Sequence, residues 1–482
     1  MLKVKIPSRQ LVSLRRPLLP TFKNGRMLFM TQRRTLYQQY SNTASPLAKT
    51  SKLQTWLYTL SGITAVSVGL WWLYWPHHTF PTSVAKILRQ ALWQESDKME
   101  HDYQAALKFY LEAINECDRL SLDPISDEYT GIQLKIAEMY EKLGMFEEAH
   151  TIYVEMLYRY FDALHTPERV SEDKRPHLIQ KDLRVLIKSL EMSKDVATAK
   201  RDLLAHLLLA QEEVLTRSPE LKKFFDRRRE KITAASGRHA VEEFESFVNE
   251  DNIQLDQDGY MILNLQKDSS AWEPFKEEFF TARDLYTAYC LSSKDITSAL
   301  SCKLTTVEWM VMADMPPGQI LLSQANLGSL LYLQAERFEA QIHQLKLKRN
   351  EETSLNPGQD KNIIQALRQL HRNRDSCFEM ATNCYQSVIK FAKKNHKLRF
   401  NAKDLLDPSA AQAIALSTYG MGVINLHKGV LAKAERLLKD SITLAKETDF
   451  QELLKEADRE LTKVSKAKET KLKQEGKEIA SN

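Results

Sequence analysis

Glycine and proline are scarce in this 482-residue chain, 14 and 15 in all. Sheet-rich folds build their tight turns on both, so the shortage favours helix before any pattern is read. Cysteine is scarcer still. Cys117, Cys290, Cys302, Cys377 and Cys384 form neither C-x2-C pairs nor the spacings of a disulfide framework, which excludes a zinc ribbon and a stapled secreted domain. Acidic residues are missing altogether from positions 1–94, which hold 13 Lys or Arg; beyond them 55 basic residues face 63 acidic ones, so the formal +5 is +13 followed by −8. The positive charge is thus terminal and the body mildly acidic, and nucleic acid is not an expected partner. Catalytic signatures are missing as well: there is no H-E-x-x-H, no P-loop, no G-x-S-x-G and no G-x-G-x-x-G after a strand. No enzyme activity, cofactor or metal is expected. Cys377 and Cys384, seven apart on one helix face, read as small core residues. His77-His78 reads as an interfacial contact, and Arg227-Arg228-Arg229 as a solvated helix face among Glu220, Asp226 and Glu230.

Length is what the chain does have. This length exceeds what a single core usually serves, so several domains or a quasi-one-dimensional stack are expected. Residues 1–52 carry Lys3, Lys5, Arg9, Arg15, Arg16, Lys23, Arg26, Arg33, Arg34, Lys49 and Lys52 among Leu, Val, Phe and Ser, a mitochondrial transit-peptide composition. A potential negative inside the matrix pulls such a cationic segment. Cleavage is expected in the mid-thirties to low forties, after Arg33 and Arg34; the alternative is an uncleaved basic arm on anionic lipid. Residues 53–75, LQTWLYTLSGITAVSVGLWWLYW, contain no charge and as helix would be about 34 Å long, enough to cross a bilayer. Trp56 and Tyr58 at one end and Trp71, Trp72, Tyr74 and Trp75 at the other suit its two interfaces. Lys49, Lys52 and the Arg cluster put the N-terminus in the matrix and the body in the intermembrane space. Ser61, Ala65 and Gly69 form a small-residue stripe on which another membrane helix can dock, although small residues are common in such helices anyway.

Past Phe80 the apolar residues recur at helical spacing, and the one alternating stretch is 259–265, GYMILNL. Residues 102–114 resemble the second helix of a tetratricopeptide repeat. The pattern returns at Gly144-Met145-Phe146-Glu147-Glu148-Ala149 with Tyr153, preceded by Ala137 and Tyr140. It returns again at Gly422, Gly429, Ala434 and Leu438. A fourth copy has Leu327-Gly328 and Tyr332 in its first helix and Ala381, Tyr385 and Val388 in its second, split by a charged insertion around 350–361. Weaker copies centre on Ala199 and on Asp295 with Ala299. Small residues at a crossing let two helices close up, and aromatics fill the gap to the next pair. The expected fold is all-α, a tetratricopeptide-like helical-pair superhelix after a single N-terminal transmembrane helix. Its segments are 1–52 presequence and matrix-facing arm, 53–75 membrane helix, 80–220 N-terminal repeats, 221–281 connection, 282–468 C-terminal repeats with a capping helix, and 469–482 charged tail.

A basic presequence, one membrane helix and then FPTSVAKILRQALWQESDKMEHDYQAALKFYLEAI together resemble the tetratricopeptide-containing adaptor subunits of the fungal mitochondrial i-AAA protease complex, most specifically over 80–157. The resemblance implies a non-catalytic adaptor in the inner membrane. It would bind the protease subunits and a second adaptor subunit, and present unfolded or misfolded membrane and intermembrane-space proteins for degradation. An import receptor and an inner-membrane scaffold or assembly factor for a respiratory complex are the competing classes. Repeat geometry puts Leu134, Glu138 and Glu141 on the ligand-facing side of one first helix. Tyr419, Val423 and Leu426 take that side of another, with Ala325, Ser329 and Tyr332 between. The set holds no Lys, Arg or Asn clamp for acidic C-termini, so extended hydrophobic or basic segments are the expected ligands.

Overall fold

The computed structural model describes residues 79–234, 253–255, 261–263, 269–352, 359–394 and 407–481. Among them, 14 α-helices follow one another with a single two-stranded ribbon between. The chain divides into two compact units, Met1–Leu122 and Asp123–Asn482.

In the first unit, α1 (Thr82–Glu95) packs on α2 (Tyr103–Arg119). Asp102 starts α2 by accepting the Ala105 amide at 2.9 Å. Small residues meet at the crossing: Ala91, Ala106 and Ala113 have no exposed surface. The Tyr110 hydroxyl donates to Glu95 Oε2 at 2.7 Å and ties the two helices together.

The second unit runs α3 (Asp127–Lys142), α4 (Phe146–His165), α5 (Arg175–Leu190), α6 (Val196–Arg217) and α7 (Pro219–Ala234). The ribbon of β1 (Ile253–Leu255) and β2 (Met261–Leu263) follows, antiparallel with Gln254 opposite Ile262. Then come α8 (Lys276–Ser292), α9 (Ile296–Met312), α10 (Pro317–Glu352), α11 (Gln359–Lys394), α12 (Pro408–His427), α13 (Leu431–Glu447) and α14 (Gln451–Ser481). The expected repeats are pairs of these helices: α3 with α4, α8 with α9, α10 with α11, and α12 with α13. The copy centred on Ala199 falls in α6, which packs on α5 with Ala199 buried. Alternation at 259–265 marks β2, and its partner β1 makes the described fold not wholly helical.

One turn recurs. Helices ending before Ser121, Gly144, Lys294, Asp314, Gly429 and Asp449 place that residue at positive φ, between 53° and 76°. The amide after it then reaches back to the carbonyl of the helix's last turn, as Met145 does to Tyr140 at 2.9 Å and Asp295 to Cys290 at 2.8 Å. These bonds satisfy carbonyls that a helix end would leave open. Glycine marks the turn in the sequence at two of the six places; the other four are silent.

Within 221–281, the expected connecting region, Leu221, Ala271, Trp272 and Phe275 are buried, and Trp309 of α9 stacks on Phe225 at 4.7 Å and meets Trp272 edge-on at 5.8 Å. Its aromatics fall outside the repeat offsets, so periodicity did not register them. The described residues of the charged insertion at 350–361, 350–352 and 359–361, are helix, because α10 and α11 are each 36 residues long, α10 running past its last buried position, Ile342, and α11 starting ahead of its first, Leu367. Helix α14 likewise continues to Ser481 through the stretch read as a charged tail.

Candidate interaction site

The second unit closes most tightly around Tyr385 of α11. Its ring is buried, its hydroxyl lies 2.9 Å from Ser329 Oγ of α10, and it leans on two glycines, Gly328 of α10 and Gly420 of α12. A Cβ on Gly420 would meet the ring at 2.2 Å and one on Gly328 at 2.8 Å. Only glycine allows the three helices this approach. Burial pushes the Tyr385 phenol up, against the Ser329 hydrogen bond.

That closure decides where the expected ligand-facing residues lie. Ala325 is fully buried beneath the surface, and Ser329 turns inward to Tyr385. Tyr332, one turn on, is half-buried, edge-on to Phe378 at 5.8 Å and to His427 at 6.3 Å. Tyr419 of α12 is half-buried too. Burial raises both phenols first; Glu336, Glu460 and Glu339 then add to Tyr332, and Glu460, Glu456 and Glu336 to Tyr419. The two tyrosines therefore lie near four carboxylates of α10 and α14, of which Glu339 meets His427 at 3.2 Å and Arg374 at 3.7 Å, Glu456 pairs with Arg459 and Glu460 with Lys463 at 2.5 Å. Such a surface offers flat apolar rings beside the exposed Glu336, suited to apolar and cationic side chains. Val423 and Leu426 contribute less to it. Both pack, with Leu461, against a small core of Ala434, Leu438 and Val464, so α14 covers them as a final half-pair.

The other expected group stands apart on α3. Leu134 is 41% exposed and Glu138 pairs with Lys135 at 2.9 Å. Glu141 accepts the Tyr153 hydroxyl at 2.6 Å and lies 3.2 Å from Lys188 Nζ, so the chain itself holds this carboxylate. Burial, helped by Glu141, pushes the Tyr153 phenol up.

Sequence reasoning did not anticipate the charge on the long α10–α11 hairpin. Between Ala340 and Asn350, and again between Lys361 and Arg374, no acid interrupts Lys346, Lys348, Arg349, Lys361, Arg368, Arg372 and Arg374. Lys346, Lys348, Lys361, Arg368 and Arg372 are exposed, with Leu347 50% exposed among them. The segment had registered only as a charged insertion because its helices were not expected to reach so far.

Among the described residues no three His, Cys, Asp or Glu side chains gather as a metal site requires. Cys384 is buried as expected and in no disulfide, and Cys377 is half-buried with its thiol pushed up to about 11 by burial. The buried Asp182–His206 pair, 2.7 Å apart, joins α5 to α6 beneath Phe161, whose ring lies 5.0 Å from the imidazole. Arg227 is exposed; the side chains of Arg228 and Arg229 lie outside the described residues. So do the presequence, the span at 53–75, the Ser61, Ala65 and Gly69 stripe and His77-His78. Among the described residues no helix is long and apolar enough to cross a membrane.

Stacked helical pairs define a helical-repeat protein. Comparison with known proteins narrows that class. The MGR3 middle domain matches residues 167–315, from before α5 to the end of the α9 turn. The mitochondrial inner membrane i-AAA protease supercomplex subunit MGR3 of Saccharomyces cerevisiae is 58% identical over 425 residues, 87% of this chain and 84% of that protein. A second protein of that yeast, described as MRG3-like, is 38% identical over 92% of this chain and 94% of its own length. A TPR repeat-containing protein of Schizosaccharomyces pombe is 29% identical over 28% of this chain and 35% of that protein. The chain belongs to the MGR3 family.

Proposed function

We propose that this protein is a non-catalytic adaptor of the mitochondrial inner-membrane i-AAA protease. The supporting observation is the likeness to MGR3, named as a subunit of that supercomplex, along most of both chains. On this reading residues 1–52 direct import, 53–75 anchor the chain, and the body from residue 80 faces the intermembrane space, beside the protease subunits and a second adaptor subunit. The stripe of Ser61, Ala65 and Gly69 docks a neighbouring membrane helix, where close backbone approach drives association.

The surface around Tyr332 and Tyr419, rimmed by Glu336, Glu339, Glu456 and Glu460, receives extended apolar or basic segments of unfolded membrane and intermembrane-space proteins, and Leu134 with Glu138 gives a second contact. Affinity is modest, because ordering such a ligand costs several kcal/mol. Affinity purification from mildly solubilised mitochondria tests the assignment. Protease subunits should co-purify with the chain. Recovery of respiratory-complex subunits in their place would favour the assembly-factor alternative and overturn the adaptor. Protease treatment of mitoplasts should digest the body while intact mitochondria protect it; protection in both would place the body in the matrix.

A further inference from the structure

Helix α1 buries one side of itself and leaves the other without an explanation in the fold. Val84 and Ala91 are buried, and Glu95 bonds to Tyr110 on the same side. At 100° per residue the opposite side presents Lys86, Arg89 and Trp93, with Leu92 at its flank. Trp93 is 52% exposed and Leu92 55%. The Lys98 ammonium lies 5.1 Å from the centre of the Trp93 ring. Glu95 is the one acid of α1 and it points into the pair; Asp97, past the helix end, is engaged with His101 at 3.0 Å.

We propose that α1 lies along the membrane surface, with Trp93 and Leu92 at the boundary of headgroups and acyl chains and with Lys86 and Arg89 against anionic phospholipid headgroups. The proposal rests on the reading of 53–75 as a membrane-spanning helix. Chain length is what selects lipid over a protein partner. Residues 76–81 separate the apolar run from the first residue of α1, and six residues fully extended reach at most about 20 Å. The whole of α1, 14 residues, is about 21 Å long. Its start is therefore held within one helix length of the bilayer whatever else binds. Indole, leucine and basic side chains without carboxylates are the composition that interfacial helices use, the stems of Lys86 and Arg89 lying on apolar surface while their charges meet phosphate.

Photo-cross-linking of the full chain in nanodiscs tests this, using phospholipids with a diazirine near the headgroup and reading the adducts by mass spectrometry. Adducts are expected on the peptide carrying Leu92 and Trp93 as well as on 53–75, the latter serving as the standard within each sample. In the Leu92→Ser/Trp93→Ser variant the α1 adducts should fall about tenfold against that standard, since two interfacial apolar side chains supply most of the hold on the surface. Both residues are exposed, so circular dichroism should be unchanged. Replacing anionic by zwitterionic lipid should also lower the α1 adducts. Adducts confined to 53–75 overturn the proposal. Adducts nowhere in the chain overturn instead the membrane-spanning reading beneath it. Protection of Trp93 that appears only when protease subunits are added overturns lipid in favour of a protein contact.

Discussion

Replacing Gly420 by alanine tests whether the closure around Tyr385 governs the C-terminal pairs. An added Cβ would sit 2.2 Å from Cζ, 2.4 Å from Cε2 and 2.7 Å from the hydroxyl oxygen of Tyr385. Carbon atoms in contact prefer about 3.5–4.0 Å, so the ring must withdraw by roughly 1.5 Å. It cannot do so freely. Gly328 meets the other edge of the ring, where its own Cβ would lie 2.8 Å from Cε1, and withdrawal breaks the 2.9 Å contact with Ser329. Overpacking of this kind costs about 1–3 kcal/mol, here at the upper end, and the better helix propensity of alanine offsets about 1 kcal/mol of it. The net expectation is a loss of about 2 kcal/mol, read as a roughly 30-fold faster hydrogen exchange of α12 amides. Gly131 in α3 is the control, because nothing lies within 4 Å of its added Cβ. Gly131→Ala should slow exchange in α3 about fivefold, the propensity term alone. If Gly420→Ala behaves like Gly131→Ala, the packing account is wrong. Tyr385→Leu in the Gly420→Ala background should recover part of the loss, and failure to do so would place the strain elsewhere.

Three further predictions concern other parts of the second unit. Burial raises the Asp182 carboxyl above its ordinary 3.8, the His206 contact opposing, so the folded state holds that proton more tightly than the unfolded chain. Its contribution is then complete below about pH 4 and is lost as pH rises through the raised value; Asp182→Asn should flatten the pH dependence of the urea midpoint above that pH, and identical profiles would refute the assignment. Lys294 is exposed at φ 61°, so Lys294→Gly should raise stability by about 1 kcal/mol by removing a left-handed side-chain clash, and an unchanged midpoint would deny the turn any strain. Glu336→Lys, at an exposed position, should weaken capture of a denatured basic substrate at low salt with circular dichroism unchanged, whereas equal capture would remove Glu336 from recognition.

How far the fold was legible follows from which residues carry it. Helical pairs with a small residue at each crossing leave a strong periodic trace, and Ala106, Ala137, Ala149, Ala381 and Ala434, all fully buried, are the residues that matched. Turns left no trace where Ser121, Lys294, Asp314 and Asp449 took the left-handed position, because a pattern that looks for glycine cannot see a strained non-glycine. The aromatic core of Phe225, Trp272, Phe275 and Trp309 was invisible for a related reason: it joins segments from different pairs and has no period of its own. Repeat offsets placed the expected ligand-facing residues on α10 and α12. They could not tell that Gly328 and Gly420 draw these helices close enough to bury Ala325, or that α14 would cover Val423 and Leu426.

That covering also constrains how the site can be probed. Tyr419 and Leu426 both touch the small core that holds α14, so charge placed on either disturbs the cap as well as any ligand contact. Glu336 is different: it is exposed, so its charge can be reversed without opening a core, whereas the Glu460 side chain is only 13% exposed and pairs with Lys463, and Glu456 pairs with Arg459. A binding surface of the proposed kind would keep its two rings fixed by packing and leave its specificity to exposed side chains such as Glu336. Sequence divergence in a family of such scaffolds can then fall on the rim while Gly328, Tyr385 and Gly420 hold the frame, because a change at any of those three is felt by all three helices at once.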